Sequence, residues 1–221
     1  MAQRPELQKG FLGPQPKFAE SGLTAVSHKD AEINLDGNKV EVKIQFSKAV
    51  KVTANLTNCA KNEELPQHVF TQTRGDVISF MASLPEVGYY KLQIFALLLP
   101  DESKTLPGVF NYLVNCTRIS NGVITYPKQF AQWKEGCYIE EPTNLDPNSD
   151  LSNVKFSAFI PNAKSAAVVA DGSWTHLENN GDGLWEGKVN LNPYRFKDAK
   201  ITLNANYGEE NKFSTLLEYR V

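Results

Sequence analysis

The 221-residue sequence predicts an all-β protein built as two tandem antiparallel β-sandwiches, and three observations carry the prediction. The first is the stretch Leu84 to Pro100, LPEVGYYKLQIFALLLP, in which Tyr90, Leu92, Ile94 and Ala96 fall on one face and Lys91 and Gln93 on the other. A period of two is what a half-buried strand requires. The second is the turn Pro85-Glu86-Val87-Gly88, which sets Tyr90 two residues after Gly88. Immunoglobulin-like sandwiches place a tyrosine there, at the start of strand F, and its hydroxyl bonds back to upstream backbone. The third is repetition. FAESGLTAVSHKDAEINLDGNKVEVKIQFSKAVKVTANL and FAQWKEGCYIEEPTNLDPNSDLSNVKFSAFIPNAKSAAVVAD share an aromatic-Ala start, a glycine, a polar loop, an alternating strand, a short break containing Ala and a second strand. A single sheet over this length would be very wide, so the fold class is two tandem immunoglobulin-like antiparallel β-sandwiches.

Taken in order, residues 1–16 carry Pro5, Pro14 and Pro16 with two glycines and read as a leader or linker. The first sandwich spans 17–117. Asp36-Gly37-Asn38 is a turn signal, after which Val40, Val42, Ile44 and Phe46 alternate with Glu41, Lys43 and Gln45. Val50, Val52, Ala54 and Leu56 repeat the alternation, and residues 57–68, polar and containing Pro66, read as a loop. Two runs, His68-Val69-Phe70 and Val77 to Phe80, flank Arg74-Gly75-Asp76. The tripeptide is also an integrin-binding motif, but its place between two strands favours a hairpin turn. The tyrosine strand follows, then a polar loop over 101–107, then Val109 to Cys116 as the closing strand. The count is about seven strands with no helical period.

Ser120-Asn121-Gly122 and Pro127 mark the boundary, and the second sandwich spans 127–221. Val154, Phe156, Ala158 and Ile160 play the part of Val40 to Phe46. A W-x-x-L…G-x-W-x-x-x-V-x-L pattern follows from Trp174 to Leu191. Ile201, Leu203, Ala205 and Tyr207 then alternate, and Phe213, Thr215, Leu217 and Tyr219 close the sheet.

Composition narrows the function. Hydrophobic residues make up 41% and the formal net charge is −2, the balance of an ordinary globular chain without a polybasic nucleic-acid surface. No apolar run is long enough to span a membrane, and MAQRPELQKG lacks the apolar core of a signal peptide, so a cytoplasmic location is expected. Cys59, Cys116 and Cys137 show no C-x-x-C spacing, arguing against a zinc site or a disulfide framework. The sequons at Asn55 and Asn115 are at the number chance gives. A cysteine nucleophile needs a histidine and a cation or helix start beside it. His28, His68 and His176 sit in polar contexts and Cys137 lies in WKEGCYIEE, so no catalytic residue is assigned. No phosphate loop, G-x-S-x-G elbow or H-E-x-x-H occurs, and Glu140-Glu141, Glu209-Glu210 and Asp146/Asp150 read as solvated loop carboxylates. Neither cofactor nor metal is expected.

GPQPKFAESGL, Ser27-His28, GYYKLQIFA, GVFNYLVNC and YPKQFAQWKEGCYIEEP together resemble the region that follows the transglutaminase-like domain in kyphoscoliosis peptidase and hillarin-type proteins, from about Phe11 to Leu191. The resemblance implies the non-catalytic, immunoglobulin-like region of a cytoskeletal or sarcomeric protein, with a protein partner. The papain-like Cys-His-Asp core of such proteins lies upstream of that region, and no residue here matches it. A second resemblance covers VVADGSWTHLENNGDGLWEGKVNL, which is similar to the glycogen-binding modules of AMP-activated kinase β subunits and branching enzymes. It implies a glycan surface at Trp174, Trp185, Asn179 and Asn180, since sugar rings stack on exposed indoles beside polar groups. Trp185, on an alternating strand with Val189 and Leu191, also suits a core position. The expected function is a non-enzymatic protein-binding module associated with the cytoskeleton, with glycogen or starch binding as the alternative.

Overall fold

A computed structural model describes residues 2–221. Its contacts divide the chain into two units, Met1–Thr125 and Tyr126–Val221, each a pair of β-sheets.

In the first unit the strands are β1 (Gly13–Pro14), β2 (Leu23–Ala25), β3 (Glu32–Leu35), β4 (Lys39–Phe46), β5 (Val50–Asn58), β6 (Glu63–Glu64), β7 (Val69–Arg74), β8 (Val77–Ser83), β9 (Gly88–Leu98) and β10 (Gly108–Cys116). One sheet has the order β1-β10-β9-β5-β6 with β3 beside β10, and the other β2-β4-β8-β7. Alternation dictates the faces. Val40, Val42 and Ile44 of β4 are buried between exposed Lys39, Glu41, Lys43 and Gln45. On β9, Tyr90, Leu92, Ile94 and Ala96 enter the core with Phe80 and Val114. Tyr90 is fully buried; its hydroxyl donates to the Glu86 carbonyl at 2.8 Å and accepts from the Glu86 N–H at 3.1 Å. This is the corner bond expected of that tyrosine. Arg74 pairs with Val77 around Gly75-Asp76, a two-residue hairpin turn with Gly75 at φ 64°, and Gln45 Nε2 donates to the Asp76 carboxylate at 2.6 Å.

Three features depart from expectation. The segment read as a leader is part of the sandwich: β1 pairs with Asn111 and Phe110, the Gln15 N–H donates to the Val109 carbonyl at 2.8 Å, and Asn111 Nδ2 donates to the Phe11 carbonyl at 2.9 Å. Pro14 is tolerated because an edge strand asks nothing of its missing N–H. Pro16 opens a five-residue helix, α1 (Pro16–Glu20), where its fixed φ suits the first turn. That helix buries Phe18 edge-on against Phe110, with ring centroids 5.2 Å apart. The third departure is that β3 runs parallel to β10, from Glu32 opposite Leu113 to Leu35 opposite Cys116.

In the second unit the strands are β11 (Lys128–Gln129), β12 (Tyr138–Glu141), β13 (Val154–Phe159), β14 (Ser165–Ala170), β15 (Ser173–His176), β16 (Glu178–Asn179), β17 (Leu184–Val189), β18 (Lys200–Asn206) and β19 (Ser214–Arg220). They form the sheets β12-β13-β17-β16 and β11-β19-β18-β14-β15. Buried residues include Trp133, Phe156, Ile160, Val168, Ile201 and Leu203, and Phe156 meets Tyr219 edge-on at 5.7 Å. The alternation expected through Phe213, Thr215, Leu217 and Tyr219 is interrupted. A bulge opposite Leu203/Asn204 inserts one residue, so that Leu216 and Leu217 are both buried.

Candidate surface of the second unit

The four residues expected to form a ligand surface are separated by the fold. Trp174 lies on the edge strand β15 and is 49% exposed. Trp185 lies on β17 in the other sheet, paired across to Ala158 and Asn179, and is buried at 6%. Its period-two spacing with Val189 turned it inward, so it cannot stack on a ligand. Asn179 and Asn180 belong to the β16–β17 hairpin. Asn179 Oδ1 accepts the Gly181 N–H at 2.9 Å, and Asn180 Nδ2 donates to Glu186 at 3.1 Å. Those amides serve a turn rather than the indole.

Trp174 instead gathers two residues that local sequence pattern did not join to it. His176, expected in a loop, stands two positions on along β15, with its ring nearly parallel to the indole (27°, centroids 6.0 Å apart), and Phe213 meets the indole edge-on at 5.1 Å. The i, i+2 spacing could have found His176; Phe213 comes from the loop before β19, 39 residues on from Trp174, which no local pattern signals. The backbone of the strand is also available. The Leu177 N–H donates to the Ala166 carbonyl at 2.9 Å, and Trp174 pairs with Val169 and His176 with Ala167. Antiparallel alternation then turns the N–H and C=O of Trp174 and His176 away from β14, toward the open edge. The result is a short sheet edge that carries Trp174 and His176, with Phe213 against the indole.

Elsewhere the chemistry is structural. Cys116 and Cys137 are buried; Cys116 Sγ donates to the Gly37 carbonyl and Cys137 Sγ to that of Gln132. Burial pushes the Cys137 thiol up to about 12 and raises Cys59 and Cys116 as well, opposite to what a thiolate nucleophile needs. Ser27 Oγ lies 2.7 Å from His28 Nδ1, but the same oxygen accepts the Lys43 N–H at 2.7 Å and the His28 carbonyl is held by Tyr112 at 2.6 Å. This pair pins a loop. Among the described residues no group of three or more His, Cys, Asp or Glu side chains could hold a metal ion, and no helix is long and apolar enough to cross a membrane.

A pair of two-sheet sandwiches with a tyrosine corner in the first defines a tandem immunoglobulin-like module. The profile of the KY-like, immunoglobulin-like domain matches residues 8–127, and the chain belongs to that family. The match covers the first unit; the aromatic edge of the second lies outside it. No curated protein sequence matches the chain. Similar solved structures include the pullulanase SAP of Group B Streptococcus (12% identity, 87% of this chain and 23% of that one, TM-score 0.26). Two others are the titin I9–I11 tandem (10%, 90% and 65%, TM-score 0.25) and the titin z1z2 domains in complex with telethonin (12%, 90% and 95%, TM-score 0.25). This chain thus spans about a quarter of the pullulanase chain.

Proposed function

We propose that the chain is a non-catalytic interaction module that binds another protein, and that it serves as the accessory region of a cytoplasmic, cytoskeleton-associated protein of the kyphoscoliosis-peptidase type, with any peptidase chemistry residing outside these residues. The observation that carries the reading is the open edge of β15. Its outward N–H and C=O groups can receive an added strand, and the half-exposed Trp174, fixed by His176 and Phe213, offers the rigid aromatic anchor that dominates binding energy at protein interfaces.

The test is co-sedimentation of the purified chain with a detergent-insoluble cytoskeletal fraction, beside retention on glycogen and starch. Wild type should sediment with the fraction and pass through both polymers. His176→Pro, which removes an outward N–H while leaving the β14 ladder intact, and Trp174→Ala should each lower sedimentation at least about tenfold, the effect of losing one anchor. Sedimentation unchanged in both variants would overturn the edge as the binding surface. Retention on glycogen that vanishes in Trp174→Ala would replace the protein partner with a glycan.

A further inference from the structure

The chain beyond β10 does not leave the first unit at Cys116. Thr117 Oγ1 donates to the Leu35 carbonyl, and Arg118 Nε pairs with Asp36 at 3.0 Å. The segment then meets Asn38, a polar side chain with no exposed surface. Asn38 Oδ1 accepts the N–H groups of Ser120 at 3.2 Å and Asn121 at 3.0 Å, and its Nδ2 donates to the carbonyls of Leu84 at 3.2 Å and Asn121 at 3.1 Å. Two acceptor positions and two donor hydrogens are all that a carboxamide has, and all four are used. Three of the four go to residues 120 and 121. Farther on, the Ile124 N–H donates to Ser83 Oγ at 3.2 Å, and Ser83 too is fully buried. The fit is close at Gly37, where a Cβ would stand 2.7 Å from Ser120 Oγ.

A solvent-facing loop needs none of this. The segment is mostly exposed, Ile119 and Val123 included, so little apolar burial holds it down; the attachment of residues 120 and 121 depends on a few hydrogen bonds converging on one buried amide. Losing that amide strands the backbone groups of Ser120 and Asn121 together, so residues 119–124 are held or freed as one piece, whereas Thr117 and Arg118 keep their own contacts with Leu35 and Asp36.

We propose that Asn38 is the latch of a releasable strap. Residues 119–124 lie along the first unit while the Asn38 side chain is seated and detach as one segment when it is not, so the latch sets the length of free chain leading to the second unit. Released, the six residues reach at most about 20–22 Å when fully extended. Where both units engage one partner, the effective concentration of the second falls as the linker lengthens, and the latch sets that avidity. This bearing on binding rests on the function proposed above; the latch does not.

Native-state amide hydrogen exchange on the full chain tests it. In wild type the amides of Ser120, Asn121 and Ile124 should exchange at least about tenfold more slowly than unstructured peptide. In Asn38→Ala and in Gly37→Ala all three should speed up together toward the unstructured rate, while Tyr90 and Leu92 on β9 keep their protection and certify the fold. The Ile124 amide is the discriminating one, because its acceptor is Ser83 and neither substitution touches it. Free exchange of these amides in wild type overturns the proposal, and so does release of Ser120 and Asn121 with Ile124 still protected. If Asn38→Ala fails to fold, Gly37→Ala decides between the same two outcomes.

Discussion

Replacing Tyr90 with Phe removes one oxygen and leaves both polar groups of the Glu86 peptide without their partner, a loss of about 1–2 kcal/mol. Denaturant unfolding of the first unit should show it as a lower midpoint with an unchanged slope, and an unmoved midpoint would take Tyr90 out of the corner role. The same burial has a signature in alkali. It pushes the Tyr90 hydroxyl up to about 12 against an ordinary value of 10.0, and the Cys137 thiol to about 12 against 9.0. A folded state that keeps a proton the unfolded chain gives up is stabilised fully below the unfolded pKa and loses that advantage as pH climbs through the folded one. Stability should therefore decline from about pH 9 upward, and the Tyr90→Phe variant should lose less than wild type between about pH 10 and 12. A flat profile across that range would show these groups to be as accessible folded as unfolded. Thiol labelling at neutral pH gives a simpler check on burial: Cys59, partly exposed, should react in the native protein, with Cys116 and Cys137 reacting only on unfolding.

Hairpins show most directly what an element demands of its sequence. Gly181 and Gly183 both hold positive φ in the β16–β17 turn, but a Cβ on Gly181 would meet open space whereas one on Gly183 would stand 2.9 Å from the Phe159 ring. Gly181→Ala should cost about 1 kcal/mol from backbone conformation alone, and Gly183→Ala about 1–3 kcal/mol more because the ring, stacked on Tyr138 at 5.2 Å, must shift. Equal losses for the two variants in urea unfolding of the second unit would mean that Phe159 yields freely. Strands of this kind were legible where each residue faces either core or water: β4 and β9 could be written down from Val40-Val42-Ile44 and Tyr90-Leu92-Ile94. Where a strand is covered on both sides or bulged, as in the stretches expected from Val109 to Cys116 and from Phe213 to Tyr219, the strand itself was legible but not which of its residues are buried. β10 carries buried Asn111 beside buried Phe110 because Phe11 and Gln15 fold over it, and Leu216 is buried beside Leu217 because it is the residue a bulge inserts. The aromatic edge was half legible for the same reason. Trp174 stood out; its contact with Phe213, in the loop before β19, joins residues 39 positions apart; and Trp185 suited either a ligand surface or the core, of which the fold gives the core.

For the molecule as a whole, the division at Thr125/Tyr126 predicts that limited proteolysis of the wild-type chain cuts first near 125–127 and leaves two folded pieces, each giving its own cooperative transition. A single transition lost on cleavage would mean that the units share one core. The internal repetition led to an expectation of two units meeting between Thr117 and Pro127; the hold on residues 120 and 121 was not legible, because Asn38, whose amide makes it, lies some eighty residues back in sequence. The parallel pairing of β3 with β10 bears on what happens when the ends of the first unit are drawn apart. Traction on the N-terminal side runs backward along β3 while traction on the C-terminal side runs forward along β10, so the two parallel strands are dragged past each other lengthwise, and the pairs from Glu32–Leu113 to Leu35–Cys116 must yield together. The two-residue antiparallel contact of β1 with the same strand is tugged open from one end, pair by pair. A stretched first unit should therefore give up β1 early, at small force, and then hold its length until the β3–β10 seam slides as a whole.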